Sequence, residues 1–401
     1  SLASGIGVVI FVYSTAYMHD KPNLGRFYAA LLAFMGLILG VALAGDLVLL
    51  FLFLELTSVC SFVLIGYHTE EAESRYSARM AMVVTVGGGL CLLVAVLMIA
   101  FAAGGNGPVF GVASAVSGDT AASLRDAGLF VPALVLVAVA AGAKSAQVPL
   151  HFWLPRAMVA PTPVSAFLHS ATMVKVGVYA VGRLRPLFYG FEWTLVFATV
   201  GLVTMTVGAL LAVVSTDIKE LLAYSTASHL GLMVAGFGMS THYGPEAGVF
   251  HLLSHALFKA PLFLVAGIVA HEAGTRYLDD MGGLRRVLPV TTGVAVVTAL
   301  SMAGVPPFSG FYSKELLFKA TWNVAQTTGG IAWLYPATAV FASVFTVIYS
   351  LRFLNVFFGE TEGDVGTPSP ALVVPAAVLG VATIFVSVAP EVIIDALVND
   401  A

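Results

Sequence analysis

Titratable side chains lie inside long apolar runs of this sequence, a pattern suited to moving protons. Glu55 sits in LLFLFLELTSVCSFVLIGY and is the carboxylate set deepest in apolar sequence. Lys144 ends the apolar run 129–143, with nothing acidic beside it in sequence. His169 and Lys175 follow on a further apolar segment, six residues apart, so they do not closely share a face. His251, His255 and Lys259 recur at i, i+4 and i+8, which puts all three on one stripe of a helix. Lys219 opens a segment after Asp217, and Lys314 follows GVPPFSGFYS with Glu315 beside it. His229, midway along its segment, reads as a hydrogen-bonded core histidine or a relay member.

Charged groups in a membrane interior cost several kcal/mol and mark function by default. Near helix ends they can instead reach the interface, and Lys219 is open to that reading. Glu55 reads as a functional group or as one half of a structural ion pair. A lysine with a movable carboxylate partner is a proton gate, because the charge it holds depends on how near the partner lies. Histidine relays protons through its two ring nitrogens. The rival for His251 and His255 is metal binding. It needs further ligands, and Leu252 after His251 rules out HExxH. Cys60 and Cys91 both sit in apolar runs and form no CxxC or Cys/His pattern. No metal and no cofactor is expected.

These residues need a membrane scaffold to hold them. The chain is 59% hydrophobic and 10% charged, with a mean hydropathy of +0.96. Soluble domains carry about 25% charged residues. The fold class is therefore an all-α polytopic membrane protein surrounded by lipid. The net charge of −4, with no basic cluster, excludes a nucleic-acid partner. A spanning helix needs about 20 mostly apolar residues. About twelve segments qualify: 2–19, 26–45, 46–67, 76–103, 128–158, 161–183, 192–215, 218–240, 244–271, 287–321, 331–358 and 370–398. Residues 104–127, rich in Gly, Ser and Ala, read as an irregular connection outside the membrane. Trp153, Trp193, Trp322 and Trp333 lie near segment ends and suit the interfacial belt.

Two segments should be broken. Pro149, Pro155, Pro161 and Pro163 follow Lys144, so that helix should stop near Pro149 and restart after Pro161 or Pro163. Pro306, Pro307 and Gly310 interrupt the tenth segment before Lys314. Backbone freed at such breaks is tolerated only against protein or a water-filled cavity. The breaks are five segments apart and so run in opposite directions. This predicts one domain, 1–401, holding two inverted five-helix repeats, 26–183 and 192–358, flanked by 1–19 and 370–398. Lys144 and Lys314 then correspond by symmetry. Ten Lys and Arg residues in the odd-numbered loops against four in the even ones place the odd loops inside. Both chain ends should then face outward. The chain begins at Ser1, and an N-terminal piece is expected to precede it.

The stretch KSAQVPLHFWLPRAMVAPTPVSAFLHSATMVKVGVY closely resembles the signature of antiporter-like subunits of respiratory complex I and of multisubunit Mrp cation/proton antiporters. FLFLELTSVCSFVLIGY, STDIKELLAYSTASHLGLM and HLLSHALFKAPLFLVAGIV are similar to family segments, in the family's order. SMAGVPPFSGFYSKE with HEAGTR is nearer the large A-type subunit of Mrp antiporters. The resemblance implies that Glu55 pairs with Lys144, that Lys175 belongs to a relay, that Lys219 serves the input path, and that Lys314 governs outward release. It also implies two further helices before Ser1, a continuation after the last residue, and a prokaryotic plasma membrane. Its partners are other membrane subunits, with protons and Na+ or another monovalent cation as cargo.

The expected function is therefore cation/proton antiport along Glu55, Lys144, His169, Lys175, Lys219, His251, His255, Lys259 and Lys314. The nearest alternative is a proton-pumping subunit of a complex I-type oxidoreductase, whose redox chemistry would sit on partner subunits. An intramembrane metalloenzyme built on His251 and His255, or a structural scaffold, are alternatives of other classes.

Overall fold

The computed structural model describes residues 2–104, 107–360 and 365–398. Among them there is no strand, and helices follow one another along the chain. The first four are α1 (Leu2–Tyr17), α2 (Leu24–Leu43), α3 (Leu47–Ile65) and α4 (Ala72–Gly104). Asp46 caps α3, its carboxylate accepting from the N–H groups of Val48 (2.8 Å) and Leu49 (3.2 Å). The connection after α4 is more ordered than its composition suggests. It forms two short helices, Val112–Ala115 and Gly118–Asp126, the second capped by Ser117.

The fifth segment breaks where the prolines require. Helix α5 (Phe130–Lys144) ends on the lysine, and short turns carry the chain to α6 (Thr162–Ser170), which starts beside Pro161. A further break, unforeseen, separates α6 from α7 (Met173–Phe188). Thr172 there leaves helical geometry (φ −130°, ψ −107°), and its hydroxyl donates to the Phe167 carbonyl at 2.6 Å. The sixth segment is thus two helices, with His169 on one and Lys175 on the other.

Then come α8 (Thr199–Val214), α9 (Ile218–Gly238), α10 (Tyr243–Ala273) and α11 (Pro289–Ala303). The chain ends its described course in α12 (Ser309–Thr328), α13 (Leu334–Asn355) and α14 (Pro370–Val388), followed by a short terminal helix, Pro390–Val398. The tenth segment is broken at 304–308, between α11 and α12. Eight helical stretches are long and apolar enough to span a membrane, or nine with one bent pair. Fewer pass than the twelve segments counted by composition, because α1 and α11 are shorter and α9 carries Lys219, Glu220 and His229.

Helix α10 is the hub and packs against α6, α9, α11, α12 and α14. Pro261 inside it lacks the N–H that would bond the Leu257 carbonyl, and the Thr383 hydroxyl of α14 donates to that carbonyl at 2.9 Å. Two isolated β-bridges lace helix ends together. Asp46 pairs with Gly111, and Asp217 pairs with Tyr277.

Two tryptophans correct the interfacial expectation. Trp153 and Trp193 are 1% and 0% exposed. Their indole N–H groups donate to the Ala143 and Phe237 carbonyls at 3.0 and 2.9 Å. Proximity to a segment end placed them in the belt, but the broken helix folds Trp153 back into the interior. Trp322 and Trp333 are exposed.

Candidate functional site

The two most buried spans carry most of the titratable groups. Within their apolar windows, Thr162–Phe188 is 94% buried and Tyr243–Ala273 is 89% buried, against 22–50% for the other six. Their charges therefore face protein and not lipid. His169 and Lys175 lie on the first span, and His251, His255 and Lys259 on the second.

Glu55 of α3 and Lys144 at the end of α5 meet across α4, with Oε1 and Nζ 3.5 Å apart. The lysine is 1% exposed and the glutamate side chain 17%. Lys144 also donates to the Leu54 carbonyl at 2.8 Å and to the Ser58 hydroxyl. Gly89 on α4 makes the approach possible. A Cβ there would lie 1.8 Å from Glu55 Oε1. Among the described residues this is the one ion pair of a buried lysine.

The other buried lysines are held by main-chain oxygens and hydroxyls. Lys219 donates to the Met158 and Ala160 carbonyls, at 3.0 and 2.8 Å, within the first break. Lys314 donates to the Ala303 carbonyl at 2.7 Å, at the end of α11. Helix ends leave carbonyls unsatisfied and carry partial negative charge. The breaks thus supply the acceptors that the ammonium groups need. Lys175 donates to the Leu252 carbonyl at 2.8 Å, and Lys259 to the Ser225 hydroxyl at 2.6 Å.

The histidines divide into two kinds. His229 and His251 are bonded ring to ring, Nδ1 to Nε2, at 2.9 Å. Tyr349 and Ser313 complete this run at 3.0 and 2.7 Å. His255 and His169 are fully buried, yet neither ring nitrogen of either has a protein partner. Such groups are normally satisfied by ordered water.

Lys219 lines an open cleft of about 180 Å³ with Lys21, His68 and Arg276. A larger neighbouring cleft of about 440 Å³ holds Glu73, Arg156, Asp217, Glu220 and Arg276. Asp217 both caps α9 and pairs with Arg276 at 2.9 Å. Lys175 lines an apolar cleft of about 250 Å³.

The structure brings together Glu55 with Lys144, and His251 with His229. It sets Lys219 and Lys314 each at a break, and leaves His169 apart from Lys175. Sequence reasoning missed Ser58, Ser225, Ser313, Tyr349 and Gly89. Tyr349 had one available signal, a tyrosine in the middle of an apolar helix beside Thr346 and Ser350. Among the described residues, no group of three or more His, Cys, Asp and Glu is placed to hold a metal ion.

The fold and site define a helical membrane protein with buried lysines and histidines, a buried lysine paired with a glutamate, and helices interrupted at breaks. The chain belongs to the family described as NADH:quinone oxidoreductase/Mrp antiporter, TM, which residues 44–346 match. Residues 1–28 also match the N-terminal segment described as NADH-Ubiquinone oxidoreductase (complex I), chain 5. The chain is 44% identical over 370 residues to the A/B subunit of a probable K(+)/H(+) antiporter of Rhizobium meliloti, covering 91% of this chain and 36% of that protein. It is 40% identical over 384 residues to the A1 subunit of a Na(+)/H(+) antiporter of Staphylococcus aureus, covering 90% of this chain and 47% of that one. A chain of the Mrp complex structure from Dietzia sp. DQ12-45-1b superposes with a TM-score of 0.86 at 38% identity, covering 96% of this chain and 41% of that one. The chain thus spans less than half the length of these relatives.

Proposed function

We propose that this chain is the ion-translocating part of a multisubunit monovalent cation/proton antiporter in a prokaryotic plasma membrane, working beside other membrane subunits. The carrying observation is the Glu55–Lys144 pair at 3.5 Å, in a chain whose Lys175, Lys219, Lys259, Lys314, His169, His251 and His255 are also buried. Protons would pass along Glu55, Lys144, Lys175, His255, His251 and Lys259 to Lys314, with His169 joined through water and Lys219 as the entry from the charged clefts. The relatives' names favour Na+ or K+ as the exchanged cation.

Two inverted repeats, 26–183 and 192–358, fit the backbone. Asp46 caps α3 and bridges to the loop after α4, and Asp217 caps α9 and bridges to the loop after α10. These helix pairs are five spans apart in the segment count. The count of Lys and Arg in the odd-numbered loops against the even ones favours the Asp217 end as the inner one.

The metalloenzyme reading loses His251, because both its nitrogens are engaged, by His229 and by Ser313. The oxidoreductase reading rests on the family description shared with complex I. Co-purification from mild detergent separates the two. Dehydrogenase-arm proteins would indicate the oxidoreductase, and small membrane proteins alone the antiporter. The direct test is exchange in inverted vesicles, followed with a pH-sensitive dye on adding Na+ or K+. A correctly assembled complex that exchanges neither cation for protons would end the antiport reading.

A further inference from the structure

Four buried side chains join α13 to the second break in one unbranched run. Tyr349 O–H lies 3.0 Å from His229 Nε2, His229 Nδ1 lies 2.9 Å from His251 Nε2, and His251 Nδ1 lies 2.7 Å from Ser313 Oγ. All four residues are at most 2% exposed. Donor counting favours one arrangement of the hydrogens. Ser313 has one hydroxyl proton and donates it to the Gly310 carbonyl at 3.0 Å. Its oxygen must then accept from His251 Nδ1–H. A neutral imidazole has one N–H, so His251 Nε2 accepts from His229 Nδ1–H, and His229 Nε2 accepts from the phenol.

The opposite polarity is also available at the Tyr349 end. The Ser228 and Thr346 hydroxyls lie beside the phenol, and both spend their own protons on backbone carbonyls. They would accept from Tyr349 if the run reversed. What opposes reversal is the other end, where Ser313 would have to abandon Gly310. Gly310 is pressed against α11, since a Cβ on it would lie 1.8 Å from the Ser301 carbonyl.

We infer that Ser313 is a positioning residue that holds His229 and His251 in the Nδ1–H tautomer, giving this run one direction set by the geometry of the second break. The role rests on the antiport reading. In this arrangement both Nε2 atoms are acceptors facing the Tyr349 end and both Nδ1–H groups are donors facing the second break, so the two rings are oriented alike toward any proton delivered to them.

The test uses the full-length protein in its complex, with isotope-labelled histidine, in bilayers. Solid-state NMR separates the two imidazole tautomers, and His229→Gln and His251→Gln identify the signals. Both rings should be Nδ1–H in the wild type. Ser313→Ala should turn both to Nε2–H, Ser313→Thr should restore them, and Tyr349→Phe should leave His251 as Nδ1–H. Cation/proton exchange should fall about fivefold in Ser313→Ala, the value of one hydrogen bond, and recover in Ser313→Thr. Either ring as Nε2–H in the wild type, or no tautomer change in Ser313→Ala, would overturn the inference. So would a tautomer reversal that leaves exchange untouched, and in that case the antiport reading would stand. A wild-type complex without exchange would remove the antiport reading and the transport role together.

Discussion

Glu55 and Lys144 form one unit, and removing either charge should disable the same event. Glu55→Gln keeps the shape and removes the charge, so exchange should be nearly abolished while the complex still assembles on a native gel. Glu55→Asp shortens the reach by one methylene and should retain part of the rate. Effects of residues in contact are not additive, so the double variant should be little worse than either single one. Normal exchange by an assembled Glu55→Gln complex would reduce the glutamate to a structural role. Gly89→Ala tests the same pair from the neighbouring helix, because its Cβ would strike the carboxylate. It should lower exchange at least as far as Glu55→Asp, in a helix where alanine is otherwise favoured by about 1 kcal/mol. The charged members of this site were legible because a lysine or glutamate in an apolar run is an anomaly that demands a reason. Ser58, Ser225 and Ser313 were not, because hydroxyls in membrane helices usually satisfy their own backbone, as Thr85 does with Ala81 here. Only the tertiary structure shows which serines face a lysine or a histidine.

At the scale of elements, the breaks were legible where proline wrote them. Pro149 to Pro163, and Pro306 with Pro307, mark both interrupted segments. The break at Thr172 lies in HSATMVK, which contains neither proline nor glycine, and nothing local announces it. It arises from tertiary packing, which overrides a sequence that would continue a helix. The second break turns on Gly304, at φ +81°, where a Cβ would lie 2.7 Å from Lys314 Cδ. Gly274 has nearly the same backbone (φ +68°) with open space around it. Alanine at either should cost about 1–2 kcal/mol of backbone strain. Gly304→Ala should also displace Lys314 and slow exchange, whereas Gly274→Ala should lower thermal stability alone. Equal exchange in the two variants would show that the position of Lys314 does not limit transport.

For the whole molecule, the proposed inward placement of the Asp217 end is open to chemical labelling. Gly107, in the connection after α4, and Asp279, in the connection after α10, are exposed. In a background with Cys60 and Cys91 replaced, Asp279→Cys should react with an impermeant maleimide in inverted vesicles. Gly107→Cys should react only in whole cells or right-side-out vesicles. The reverse pattern would invert the topology. Membrane class was plain from composition alone, whereas the twelve apolar segments counted there exceed the eight or nine helical stretches long and apolar enough to span. The packing that makes α10 the hub was not, since apolar helices facing lipid and facing protein read alike.

The two β-bridges have a mechanical consequence. Helices α3 and α4 are joined by a short turn at one end and stitched by Leu47 N–H to Phe110 O and Val112 N–H to Gly45 O at the other. Helices α9 and α10 are closed in the same way, by Ile218 N–H to Arg276 O and Leu278 N–H to Thr216 O. Each pair is therefore a closed frame, tied at both ends. Glu55 is mounted on the first frame, and Lys219, His229, His251 and Lys259 on the second. Lys144 and Lys314 are mounted on neither. One stands on the last residue of a helix that stops short, and the other a turn into a helix that has just begun. The Glu55–Lys144 pair thus joins a helix tied at both of its ends to one that stops at the lysine itself.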